Sequence, residues 1–150
     1  MQNSLARTVC RAPRRACSSE LLTRLHWLPE QQRIMYKTSV LTYNALNTGQ
    51  PTYLSELLIR SIPSRALRSS NDNLRLTIPL TRTAFASRAF SIAEHTLWNS
   101  LSLHTRSADS IDVFKCLLKT ELFTHVLSGQ ESFYPSASVF RLLISYFVCC

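Results

Sequence analysis

The sequence predicts a mainly α fold: several short to medium helices, one small β-hairpin near residues 74–92 and an irregular C-terminal tail. Three observations predict it. Apolar residues recur every three or four positions through 20–28, 30–47 and 110–127, the period of one helix face. Residues 74–79 instead alternate, with Leu74, Leu76 and Ile78 against Arg75 and Thr77, the period of a strand. Only 2 glycines occur in 150 residues, so left-handed turns and phosphate-cradling glycine loops have few places to form.

Taken in order, residues 2–10 suit a short helix, with Leu5 and Val9 one turn apart and Arg7 and Arg11 towards another face. Pro13, Arg14 and Arg15 make a basic break. Ser18 or Ser19 caps a second helix with Leu21, Leu22, Leu25 and Leu28 at helical spacing, and Pro29 ends it or starts the next. The third helix runs over about 30–47. Its stripe is Ile34, Thr38, Leu41 and Ala45, widened by Met35, Val40 and Leu46, and Gly49 and Pro51 are placed to stop it. A short helix over 52–59 turns Leu54, Leu57 and Leu58 inward. Residues 60–73, with Pro63, a set of serines and Asn71-Asp72-Asn73, read as a linker. The alternating segment 74–79 pairs with 82–92 as the hairpin. A helix over 92–101 and a loop over 103–108 follow. Asp109 or Ser110 then caps the clearest amphipathic helix, with Ile111, Phe114, Leu118 and Leu122 on one face.

Net charge is +8, and it is uneven. Residues 1–100 hold 13 basic and 5 acidic residues, whereas 101–150 hold 4 of each. That favours an anionic partner, nucleic acid or an anionic surface. No apolar run reaches the roughly 20 residues of a membrane span; the tail 139–150 comes closest and Arg141 interrupts it. Five cysteines without C-x-x-C or zinc-ligand spacing indicate free thiols in a reducing compartment. Intracellular placement, in cytoplasm or nucleus, is the expectation. Residues 1–19, with four arginines, several serines and no acid, also have the composition of a mitochondrial transit peptide, a weaker alternative.

The densest basic segment carries the best nucleic-acid candidates. Arg60, Arg65, Arg68, Arg75, Arg82 and Arg88 stand against one acid, Asp72, with Phe85 and Phe90 interleaved. The competing reading is a solvated face of a small sheet beside a linker. His26-Trp27, with Arg24 and Arg33, could offer a base-stacking platform; the favoured reading makes Trp27 the closure of a helix–helix core, and Trp98 likewise. Catalysis finds no constellation. Cys116 and His125 lie about 13 Å apart along one helix. Asp109 and Asp112 sit where caps belong. Ser91, Glu94 and His95 are too close in sequence to be held by separate orienting elements. No cofactor, metal or small-molecule substrate is expected.

A family resemblance narrows this further. Leu25-His26-Trp27-Leu28-Pro29, then Arg33-Ile34, Tyr36-Lys37 and Leu41-Thr42-Tyr43-x-Ala45-Leu46, resembles the region after the reverse transcriptase domain in LINE-type (non-LTR) retrotransposon proteins. Pro51-x-Tyr53-Leu54-Ser55-Glu56-Leu57-Leu58 and Arg65-x-Leu67-Arg68-Ser69-Ser70 resemble the family's next blocks. Arg88-Ala89-Phe90-Ser91-x-Ala93 and Leu97-Trp98-Asn99-Ser100-Leu101 follow. Arg106-x-Ala108-Asp109-Ser110, then Phe114-Lys115-x-x-Leu118-Lys119-Thr120-x-Leu122-Phe123, resemble the closing block. No block alone is specific; their order and spacing across 2–127 are.

Three departures stand out. Ala86-Ser87 replaces a glycine before the Arg-Ala-Phe block, Glu94-His95 replaces Ala-Pro, and Ser102 replaces a proline. Residues 128–150 match nothing in the family and have the composition of read-through from flanking sequence. The polymerase motif with its paired metal-binding aspartates, which two-metal nucleotidyl transfer requires, belongs upstream of this region. The resemblance therefore implies a non-catalytic segment, 1–127, of an RNA-directed DNA polymerase, with RNA or DNA and the parent polymerase domain as partners. The alternative is a helical interaction module that docks through the apolar faces of helices 30–47 and 110–127.

Overall fold

The computed structural model describes residues 1–62, 74–83, 85–86 and 89–127. Seven helices lie among them: α1 (Gln2–Val9), α2 (Ser18–Arg24), α3 (Glu30–Thr48), α4 (Thr52–Ser55), α5 (Phe90–Ser100), α6 (Leu103–Arg106) and α7 (Ile111–Leu127). The central member is α3, which packs against α4, α5 and α7; α1 pairs with α2, and α6 rests on α7. No helix among the described residues is long and apolar enough to cross a membrane.

The core forms where α3, α5 and α7 meet. Phe114 and Leu118 are fully buried, with Leu97, Trp98, Leu101 and Leu122 beside them. Phe114 stacks on Tyr43 at 4.4 Å between ring centroids and lies 5.9 Å from Trp98. Each such side chain contributes about 1.5–3 kcal/mol through burial. The α7 face matches its sequence pattern, with Phe114, Leu118 and Leu122 inward. Ser110 starts α7 as expected, its hydroxyl accepting from the Val113 N–H. Trp98 is a core residue, 2 % exposed, as expected.

The α3 face differs from its pattern. Its buried residues are Met35, Thr38, Ser39, Thr42, Tyr43 and Ala45, while Ile34 and Leu41 are half-buried. The helix is packed on two sides, and one of them meets a polar partner: Thr42 Oγ1 donates to Glu94 Oε2 of α5 at 2.8 Å. The hydroxyls of Thr38 and Thr42 also satisfy themselves on carbonyls one turn back, which lets them be buried. Gly49 ends α3 at φ 69, the left-handed cap its position predicts.

Helices α1 and α2 both end in Schellman caps without glycine. Arg11 (φ 49) and His26 (φ 52) take the left-handed position. The Ala12 N–H donates to the Arg7 carbonyl and the Trp27 N–H to the Leu22 carbonyl, closing each motif. The second cap shortens α2 to Arg24, so Trp27 and Leu28 leave the helix that was expected to contain Leu28. Helix α4 is likewise shorter than expected, four residues from Thr52.

The expected hairpin near 74–92 is not formed among the described residues. Leu76 instead makes an isolated antiparallel bridge with Arg60. The Ser61 N–H donates to the Arg75 carbonyl and the Thr77 N–H to the Ile59 carbonyl, both at 2.8 Å. The other edge of the segment is taken by α5. Asn99 clamps both backbone groups of Leu76, accepting from its N–H at 2.8 Å and donating to its carbonyl at 2.7 Å. Trp98 Nε1 donates to the Leu74 carbonyl. The partners of this backbone are therefore 59–61 and the Trp98-Asn99 pair rather than 82–92, and Phe90 onward is helix. Of the alternating residues only Leu76 is buried, and Ile78 is 47 % exposed.

Residues 103–106, expected as loop, form α6. Ser102 caps it, accepting from the Thr105 N–H, and Glu121 of α7 collects the Ser102 N–H and the Ser102 and Thr105 hydroxyls. The cap and its carboxylate acceptor lie nineteen residues apart, which hides the signal from a local reading.

Candidate nucleic-acid interface

The six arginines singled out in the sequence divide. Arg65, Arg68 and Arg88 lie outside the described residues. Arg60 and Arg75 come together at the bridge, where Arg60 opposes Leu76 and the carbonyl of Arg75 receives Ser61. Both are exposed, as is Arg82. Arg60 Nη2 donates to the Leu46 carbonyl at 3.4 Å, which ties it to the end of α3. Arg60 also lines a cleft of about 270 Å³ floored by Tyr43, Leu76 and Trp98. Arg106, which also lines that cleft, is buried and donates to the Leu101 carbonyl.

A second basic surface lies on α1 and its turn. Arg7, Arg11 and Arg14, with Ser4 and Thr8, line a cleft of about 590 Å³. Arg7 is tied back to the Ala16 carbonyl, whereas Arg11 and Arg14 are exposed.

A third surface gathers around Trp27, which the sequence offered as a base-stacking platform but assigned by preference to the core. Trp27 does not close a helix–helix core: it is half-buried and stands outside the core cluster that Leu28 joins. The left-handed turn at His26 sends Leu28 inward and leaves Trp27 at the wall of a groove of about 590 Å³. Leu5 of α1, Arg33 and Tyr36 of α3 and Lys119 of α7 complete that wall. The floor is fixed. Gln2 Nε2 donates to the Leu28 carbonyl at 2.8 Å, and His26 meets Phe123 edge-on at 6.1 Å.

Glu94 and His95, read in the sequence as too close together to act in catalysis, are both fully buried. Among the described residues Glu94 Oε1 and Ser39 Oγ have no hydrogen-bond partner, and the His95 ring has only a poorly aligned contact with the Ser91 backbone. Burial pushes the Glu94 carboxyl up to about 7 from 4.5, against the hydroxyls of Thr42 and Thr38, which hold it down. Burial pulls the His95 imidazole below its ordinary value. None of the three clefts described above is lined by these residues. Among the described residues no group of three or more His, Cys, Asp or Glu side chains gathers to hold a metal ion.

The apolar faces of α3 and α7 pack on each other in the core, so they are not free surfaces. Compared with protein-family models, with curated proteins and with solved structures, the chain finds no match.

Proposed function

We propose that the chain is a non-catalytic segment of a LINE-type retrotransposon RNA-directed DNA polymerase, the region that follows the polymerase domain and helps hold RNA or DNA through basic contacts. The observation that carries this reading is the ordered series of sequence blocks from Leu25 to Phe123. Their spacing has a physical counterpart. Apart from Met35 and Leu76, every residue of the buried core cluster falls within one of those blocks. Asn99 and Trp98 of one block clamp the extended segment at Leu74–Leu76, a pairing that needs both the block and its distance from the segment.

The basic surface supports the nucleic-acid part. Arg11, Arg14, Arg33, Arg82 and Lys119 are exposed, and none has an acidic partner among the described residues. Surface cations of this kind neutralise phosphates and release the counterions condensed on them. Docking through the faces of helices 30–47 and 110–127 is the weaker reading, because those faces are already used. The test is the DNA that precedes the coding sequence. A reading frame for a polymerase with paired metal-binding aspartates, continuous or interrupted, is expected immediately upstream. Flanking DNA free of any polymerase remnant would contradict the assignment.

A further inference from the structure

The groove around Trp27 has the composition of a nucleotide site. Its volume of about 590 Å³ lies within the ~300–1,000 Å³ of small-ligand pockets. Aromatic rings come from three chain positions, His26, Trp27 and Tyr36, and two cations, Arg33 and Lys119, stand among them. Among the described residues no acidic side chain lines it. Neither cation has an acidic partner among the described residues; Lys119 Nζ instead sits 5.9 Å from the centre of the Phe123 ring. A purely apolar ligand would leave both cations desolvated and unpaired, which is costly. A simple anion would leave the aromatic wall in water. A base joined to a phosphate satisfies both halves.

We propose that this groove takes an unpaired nucleotide of a single-stranded nucleic acid, its base against Trp27 and its phosphate at Arg33 and Lys119. The proposal rests on the nucleic-acid reading above and deepens it, joining two of its exposed cations to an aromatic wall in one groove. A duplex is disfavoured by the same chemistry, since its bases are stacked on each other and offer no free face to the indole.

The experiment is a fluorescence titration of the full chain with oligouridylate, oligodeoxyuridylate, a duplex and an abasic strand of equal length. Trp98 is 2 % exposed, so quenching on binding reports Trp27. Quenching by both single strands, absent with the duplex and the abasic strand, is expected; quenching by one single strand alone assigns the sugar preference. Trp27→Leu is expected to weaken single-strand binding about tenfold or more. Trp27→Phe is expected to restore part of it. Because Trp27→Leu could disturb the turn, Arg33→Ala and Lys119→Ala at exposed positions give a second test. Each is expected to lower the slope of affinity against salt by about one phosphate contact. Single-strand binding that proceeds without quenching and is unchanged in all of these variants would overturn the groove and leave the wider reading standing. No binding of any strand would overturn both.

Discussion

Replacing Glu94 by Gln should abolish a loss of stability that the wild-type chain suffers as pH rises. Glu94 is fully buried between α5 and α3, and its carboxyl is pushed up to about 7, against an ordinary value of 4.5. The geometry explains why a proton is favoured there. Thr42 Oγ1 has one hydrogen and two acceptors in reach, the Thr38 carbonyl at 3.1 Å and Glu94 Oε2 at 2.8 Å. An ionised carboxylate needs that hydrogen. A protonated carboxyl can reverse the sense of the contact, and the Thr42 hydrogen then goes to Thr38. The folded chain therefore holds a proton that the unfolded chain gives up. The stabilisation is fully present below 4.5, falls as pH rises through about 7 and is gone above it. The interval between 4.5 and about 7 corresponds to about 3 kcal/mol. That is a large share of the roughly 5–15 kcal/mol typical of a domain. His95 works in the opposite sense: burial lowers its value, so its contribution is present above 6.5 and is lost as pH falls through the folded value. The two changes overlap in pH and oppose each other, so urea unfolding followed by far-ultraviolet circular dichroism, over a pH series from about 4 to 8, compares the wild type with Glu94→Gln, in which only the His95 change remains. Relative to Glu94→Gln, the wild type should lose about 3 kcal/mol across that series, while Glu94→Gln alone should gain stability as the pH rises towards 6.5. A difference between the two proteins that does not change with pH would refute the reasoning.

Two further outcomes follow from the packing. Phe114→Ala removes a fully buried ring stacked between Tyr43 and Trp98 and should cost about 3–5 kcal/mol in urea unfolding, and a loss under about 1 kcal/mol would mean that α3, α5 and α7 do not meet at this ring. Arg11→Gly relieves a side chain held at φ 49 and should gain about 1–2 kcal/mol in the folded state, of which about 0.5–1 kcal/mol is returned through the looser unfolded chain; a net loss would contradict the left-handed cap.

The helices that were legible in the sequence are those whose signals are local. Gly49 stops α3, Ser110 starts α7, and the spacing of Phe114, Leu118 and Leu122 orients α7; each needs only neighbours within two turns. The misread elements depend on partners far along the chain. The alternation at Leu74–Ile78 signalled extended backbone correctly, but its partners were Ile59–Ser61 and the side chains of Trp98 and Asn99, not residues 82–92. Helix α6 depends on Glu121, nineteen residues from its cap. The hydroxyl-rich face of α3 makes sense only beside Glu94, a contact across 52 residues. The basic residues were legible as charge, whereas the groove beside Trp27 was not legible as a cavity. Charge pointed to an anionic partner, yet Trp27 was assigned to the core because a tryptophan ahead of a proline suggests packing. A left-handed residue other than glycine, His26, redirected it to the groove; histidine is enriched among the few non-glycine residues that take that conformation, but too weakly to mark the turn in the sequence.

The claim that phosphate contacts hold RNA or DNA on this chain is tested most directly by the salt dependence of its affinity for a single strand. Three phosphate contacts, the number that Arg33, Lys119 and one further arginine would make, imply a slope near −2 in a plot of log affinity against log salt. The affinity should then fall roughly twentyfold between about 50 and 200 mM salt. An affinity that stays constant over that range would contradict the account.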